Sequence, residues 1–234
     1  MKVEVWSDYV CPFCYIGKRQ LEQSIKEAGY EGQIEVELKS FLLDPTTPID
    51  TDKSVYASLS NKYNISEEQA KEMTKNVAER AKEVGLNYNF DIMKDANTTA
   101  AHRLSKWAST KGKGTELSER FLQSYFLEGG AIGKQDVLLS LVEEVGLDRA
   151  EAQEILKGNQ FVEEVQKDIS AAQNLGVRGV PFFVIDNKYG ISGAQPKAIF
   201  DQTIAKAADE AGLQPKLKMV GEDGSVCING QCDL

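Results

Sequence analysis

Two cysteines separated by two residues, Cys11 and Cys14 in Cys11-Pro12-Phe13-Cys14, are the side chains of this chain best suited to chemistry. They stand where Val3-Glu4-Val5-Trp6, which reads as a β-strand, gives way to a helical pattern beginning near Tyr15. A first helical turn offers unpaired N–H groups and the positive end of the helix dipole, which favour thiolate over thiol at Cys11. Cys14, a turn further in, is placed to attack a mixed disulfide formed at Cys11 and release its partner in either redox direction. The competing uses are half of a zinc site or an inert surface pair. A zinc knuckle needs a second pair close by, and the other two cysteines, Cys227 and Cys232, lie at the far end of the chain.

That second pair, Cys227-Ile228-Asn229-Gly230-Gln231-Cys232, surrounds Asn-Gly, a strong turn signal that brings two flanking cysteines within bonding reach. Three readings stand open: a second redox pair exchanging electrons with Cys11/Cys14 or a partner, a local disulfide tying the tail, and metal binding or no role. The four cysteines fall into two local pairs with none between them, which is not the pattern of a secreted disulfide framework.

The elements that must position Cys11 are legible from periodicity. After the first strand, Ile16, Leu21 and Ile25 mark a helix running to Ala28, and Ile34, Val36 and Leu38 alternate with charged residues as a second strand. This β-α-β order implies a parallel pair. Beyond Pro48 the composition turns helical. Ser66 with Gln69 forms a capping-box pattern ahead of an apolar stripe ending at Gly85, and further helices are predicted near 98–109, 116–127, 135–145, 148–156 and 160–175. Phe182 to Ile185 then reads as a strand, Asp186-Asn187-Lys188 as a turn, Tyr189 to Gly193 as a returning strand, and Pro196 as the opening of a last helix ending near Gly212.

A C-x-x-C at the first helix of this element order resembles the thioredoxin fold, and a long helical stretch after the second strand resembles the DsbA family. Trp6-Ser7-Asp8-Tyr9-Val10-Cys11-Pro12-Phe13-Cys14-Tyr15-Ile16-Gly17-Lys18-Arg19 is similar to the S-D-x-x-C-P-W-C-Y-I-G-K pattern of FrnE-like members, as is Ala101-His102-Arg103-Leu104 to their A-H-R-L. Gly176-Val177-Arg178-Gly179-Val180-Pro181-Phe182-Phe183 is similar to the segment before the family's cis-proline. The resemblance implies an α/β thioredoxin-like fold: a first part at 1–48, an all-helical insertion at 49–160, a second part at 161–212, and an irregular tail at 213–234. It also implies a cis Val180-Pro181 bond beside Cys11, with Pro12, Phe13, Val180 and Pro181 shaping the site and the Val180 backbone free to pair with substrate. Taken alone, an X-Pro before a strand is ordinarily trans. Phe13 supplies neither the charge nor the hydrogen bond that histidine lends in C-P-H-C enzymes, so a less oxidising pair is expected.

With 234 residues and 41% hydrophobic content, the chain can bury one substantial core. It shows no signal-peptide pattern and no membrane-span length of apolar sequence, which reads as cytoplasmic. A net charge of −9 disfavours nucleic acid and anionic membranes as partners. The function expected is thiol-disulfide oxidoreductase, with no metal and no cofactor beyond the redox-active disulfide. Its partners would be disulfide- or thiol-containing proteins, peptides or small molecules, with glutathione or a thioredoxin-type protein as reductant. A pair roughly 100 mV above cytosolic glutathione would be held reduced by about 4–5 kcal/mol, so reductase or isomerase activity is favoured there. The alternative is a glutathione-dependent transferase or isomerase of the kappa or 2-hydroxychromene-2-carboxylate type, which resembles DsbA in fold but uses serine where Cys11 stands.

Three further features read as structural. His102, the single histidine, is expected to be packed or hydrogen-bonded rather than a general base, Lys18 and Arg19 to lie on a solvated helix face rather than raise the potential at the active-site turn, and Phe121, Leu122, Tyr125 and Phe126 to be core, with a peptide-binding groove as their lesser use.

Overall fold

The computed structural model describes residues 1–216 in full, and beyond them the backbone of three short strands at 219–220, 226–228 and 231–233. Strand β1 (Lys2–Ser7) pairs in parallel with β2 (Glu35–Ser40) through helix α1 (Pro12–Glu27), and antiparallel with β3 (Phe182–Ile185), which turns into β4 (Tyr189–Ser192). The sheet order is β2-β1-β3-β4. The β3–β4 turn holds Asp186 and Asn187 at φ of 52° and 53°, the left-handed geometry that short polar side chains tolerate.

Alternation along β1 divides the core. Val3 and Val5 face α1 and α9 (Lys197–Glu210), packing with Leu21, Ile25, Phe183 and Phe200. Trp6 faces the other way, toward α8 (Val162–Asn174), where its indole Nε1 donates to the Asp168 carbonyl at 2.8 Å. Between β2 and α8 come α2 (Val55–Tyr63), α3 (Glu67–Lys82), α4 (Thr99–Thr110), α5 (Gly114–Glu128), α6 (Gln135–Glu144) and α7 (Arg149–Lys157). Much of this segment packs around a second core that includes Leu104, Trp107, Phe121 and Phe126. Helix α1 serves both cores, since Tyr15 and Ile16 enter the helical one and Leu21 and Ile25 the sheet one.

That double duty corrects one expectation. Lys18 is 4% exposed rather than solvated, because a helix packed on two sides has little free face. One boundary also differs, and one helix was not predicted. Helix α1 begins at Pro12, with Cys11 itself as the N-cap residue, since proline is preorganised for the first helical position. Helix α2 escaped the periodicity reading because none of its residues is fully buried and it carries no strong apolar stripe; the Ser54 side chain caps it by accepting from the Ala57 N–H. The capping box at α3 forms as expected, with reciprocal bonds between Ser66 and Gln69 of 2.9 and 3.1 Å.

In the tail, β5 (Met219–Val220), β6 (Val226–Ile228) and β7 (Gln231–Asp233) pair antiparallel, with Cys227 opposite Cys232 along the backbone ladder. The side chains of both cysteines lie outside the described residues. Among the described residues no helix is long and apolar enough to cross a membrane.

Candidate active site

The end of β1 delivers Asp8, Tyr9 and Val10 into a turn closed by the Cys11 N–H donating to the Asp8 carbonyl at 3.1 Å. The Cys11 sulfur therefore sits at the start of α1, where the orphan N–H groups are. It donates to the Val180 carbonyl at 3.4 Å, across the cis Val180-Pro181 bond that leads into β3. The close approach of α1 to this segment needs Gly17: a Cβ there would lie 2.9 Å from the Phe183 ring and 3.2 Å from Pro181 Cγ.

Both thiols are free and buried, Cys11 4% and Cys14 1% exposed. Burial pushes the Cys14 thiol well up, and its contact with Cys11 adds to this, while the Asp8 backbone and Ser7 pull weakly the other way. Cys14 is thus held as a thiol behind Cys11. Removing the charge beside it lifts the smaller of these causes, while burial, the larger, stays.

Around this corner the structure gathers groups the sequence did not single out. Tyr88, from the loop before α4, donates to the Pro12 carbonyl at 2.8 Å and stacks on Phe126 at 4.6 Å between ring centroids. Its phenol is pushed up by burial and then by the charges of Cys11, Tyr15 and Cys14, so it remains a donor. Arg80 of α3 lays its guanidinium over the Phe13 ring at 5.1 Å and donates to the Ala194 carbonyl at 2.9 Å. Asp8, 1% exposed, accepts from the Leu43 N–H at 2.7 Å and the Thr98 hydroxyl at 2.6 Å, with His102 Nε2 at 3.4 Å. His102 is packed as expected, its ring 4.6 Å from that of Tyr9.

Lys18 and Arg19 reach neither sulfur's hydrogen-bonding circle. Both pair instead with Glu119 of α5 and Glu22, and Tyr15 donates to Glu119 at 2.6 Å. Glu119 had no signal in sequence, since a glutamate on a helix is ordinarily solvated. Of the aromatic cluster in α5, all four members are buried, and Tyr125 and Phe126 also line a cavity of about 770 Å³ into which Cys11 opens. The core reading of that cluster holds, with two of its members also reaching the cavity.

Comparison with known proteins places this site in a family. The sequence profile of the DSBA-like thioredoxin domain matches residues 2–205, so the chain belongs to the DsbA-like thioredoxin family and is a disulfide oxidoreductase by class. Among relatives, it is similar to the uncharacterized protein YwbO of Bacillus subtilis (strain 168), 31% identical over 206 residues that cover 87% of this chain and 95% of that protein. It is also similar to the crystal structure of a probable DsbA oxidoreductase, SCO1869 from Streptomyces coelicolor, with a TM-score of 0.85, 33% identity, and coverage of 100% and 99%. The cytosolic disulfide reductase DsbM from Pseudomonas aeruginosa, determined with GSH, shares the fold at a TM-score of 0.61 and 17% identity, covering 91% of this chain and 98% of that one.

Proposed function

We infer that Cys11 is the attacking sulfur and Cys14 the resolving one, and that the protein works as a reductase or isomerase of disulfides. The observation that carries the reading is the stacking of three features at one sulfur. Cys11 caps α1, lies 3.4 Å from the Val180 carbonyl beside the cis proline, and opens into the cavity, whereas Cys14 is sealed behind it. In one half-reaction the Cys11 thiolate attacks a substrate disulfide, forming a mixed disulfide and releasing one substrate thiolate. Cys14 then attacks Cys11 Sγ, the second substrate thiolate leaves, and the protein is oxidised by two electrons as the substrate is reduced by two.

Pro181 shapes the entrance and Val180 offers substrate backbone its hydrogen-bonding edge. The helices between 49 and 160 form the cover over the sulfur. Glutathione or a thioredoxin-type protein returns the pair to the dithiol state in a reducing, cytoplasmic setting. Cys227 and Cys232 serve as a second pair in exchange with the first. The serine-centred transferase alternative loses ground to a free cysteine at position 11 with a second one behind it.

The test is direct. Cys14→Ser should accumulate a Cys11-linked mixed disulfide visible by mass, and Cys11→Ser should form none. Equilibration of the wild type in glutathione buffers, with each pair mapped by mass, should give a Cys11/Cys14 potential below that of C-P-H-C enzymes. Accumulation of adduct at Cys14 rather than Cys11 would overturn the assignment.

A further inference from the structure

The cavity beside Cys11 holds a polar group that the redox chemistry leaves unused. Its wall combines apolar side chains, among them Phe13, Phe90, Met93 and Phe126, with charged ones, Asp8, Asp44, Asp95, Lys53 and Lys62. Into this wall α5 sets Tyr125, 1% exposed, whose hydroxyl has no hydrogen-bond partner among the described residues. That hydroxyl is not sealed from solvent, since the buried polar side-chain atoms left without a partner among the described residues are Gln20 Oε1 and Ser24 Oγ; it is a donor open to the cavity, and a ligand acceptor there would take the place of water.

The surroundings say what kind of acceptor. Asp8 and Asp95 line the same cavity, and both carboxylates are already engaged, Asp8 as described and Asp95 by the Ser58 hydroxyl at 2.7 Å and the Ala96 N–H at 3.1 Å. Burial, then the charges of Asp95 and Asp8, push the Tyr125 phenol up, which keeps its proton in place as a donor. Lys53 and Lys62 also line the cavity, but the charges that act on the phenol are these two carboxylates, which repel an incoming carboxylate at that position, so a neutral carbonyl suits it better. Size and access agree on a small molecule. A cavity of about 770 Å³ falls in the range of small-ligand sites, and a Cys11 residue only 4% exposed, in a cavity walled in part by α2 and α3, is poorly placed for a disulfide on a folded protein's surface.

We propose that this cavity binds a low-molecular-weight dithiol, or its cyclic disulfide, with an apolar body and a neutral carbonyl, and that the Tyr125 hydroxyl donates a hydrogen bond to that carbonyl. The inference rests on Cys11 being the reacting sulfur. With the dithiol as donor, its first thiolate attacks Cys11 Sγ of the Cys11–Cys14 disulfide and Cys14 leaves, taking up a proton. The second thiolate then attacks the ligand sulfur bound to Cys11, closing the cyclic disulfide and releasing Cys11. The ligand loses two electrons, the protein gains two, and the two thiol protons end on Cys11 and Cys14; the reverse reaction uses the same mixed disulfide.

Three dithiols that close to the same five-membered ring separate the contributions: dihydrolipoamide with a neutral amide, dihydrolipoic acid with a carboxylate, and 1,3-propanedithiol with neither. Full-length protein carrying the Cys11–Cys14 disulfide is mixed with each, quenched, alkylated and mapped by mass. Dihydrolipoamide should reduce the pair roughly tenfold faster than dihydrolipoic acid, and Tyr125→Phe should remove about that factor for the amide while leaving 1,3-propanedithiol within about twofold, the scale of one hydrogen bond. Equal slowing of all three by Tyr125→Phe, no slowing of any, or faster reaction of the acid than of the amide would overturn the proposal. Failure of all three dithiols, 1,3-propanedithiol included, to reduce the wild-type pair would instead overturn the redox reading on which it rests.

Discussion

Replacing Glu119 by glutamine tests whether the buried charges on α1 are a structural unit. Lys18, with its side chain 5% exposed, has Glu119 at 2.6 Å and Glu22 at 2.5 Å, and Arg19 shares both carboxylates. Breaking a buried pair by removing one partner costs about 3–5 kcal/mol, because the remaining charge is left without compensation. Here Glu22 stays with Lys18, although its side chain is 38% exposed and water screens it, and the glutamine carbonyl still accepts from Tyr15. The expected loss is therefore about 2 kcal/mol. For a chain of this length that corresponds to a melting temperature lower by about 4–8 °C.

The pH dependence gives the reasoning a second handle. Burial taken alone raises the Glu119 carboxyl, but Lys18, Tyr15 and Arg19 together lower it further, and the net shift is downward. A folded-state value below the unfolded one contributes stability that is fully present above the unfolded value, about 4.3, and is lost as pH falls through the folded one. The gap between wild type and Glu119→Gln in urea unfolding should be full at pH 7 and narrow below about pH 4. A gap under about 0.5 kcal/mol at pH 7, or one that widens in acid, would refute the argument.

Three other substitutions probe the corner that holds the thiols. Asp8→Ala strands the Leu43 N–H and the Thr98 hydroxyl, both buried in part or whole, and should cost about 2–4 kcal/mol in urea unfolding; a loss under about 1 kcal/mol would show that these groups find other partners. Gly17→Ala drives a methyl to within 2.9 Å of Phe183 and against Pro181, for a loss of about 1–3 kcal/mol and a slower exchange rate at Cys11, so unchanged exchange would argue against tight positioning of Pro181. Arg80→Ala removes a cation–π contact on Phe13 and a bond to Ala194, should lower stability by only about 0.5–1 kcal/mol, and should raise the rate at which iodoacetamide alkylates Cys11 severalfold as α3 loosens; an unchanged alkylation rate would mean that Arg80 does not hold the cover.

Much of the frame was legible because it is written in local patterns. The two-residue period of Ile34, Val36 and Leu38, the cap at Ser66 and the turn at Asp186-Asn187 each specify their element through neighbours in sequence. Helix α2 was not legible for the converse reason: none of its residues is fully buried, and a helix without a strong apolar stripe leaves only its cap as a mark. Lys18 misled because burial of a lysine depends on Glu119 reaching it from α5, a contact between residues 101 positions apart. Arg80 against Phe13 and Tyr88 against Pro12 are of the same kind.

By itself, then, the sequence determined the thiol pair and the strand-to-helix corner that presents it, since these rest on residue type and short spacing, while the proline opposite was expected only through the family resemblance. Only the tertiary structure decided how that corner is enclosed. The packing of helices from distant parts of the chain buries Cys11, seals Cys14, engages the cations of α1 with Glu119, and leaves Tyr125 facing the cavity. Burial and charge are sums over everything nearby in space, and that sum exists only once the chain has folded.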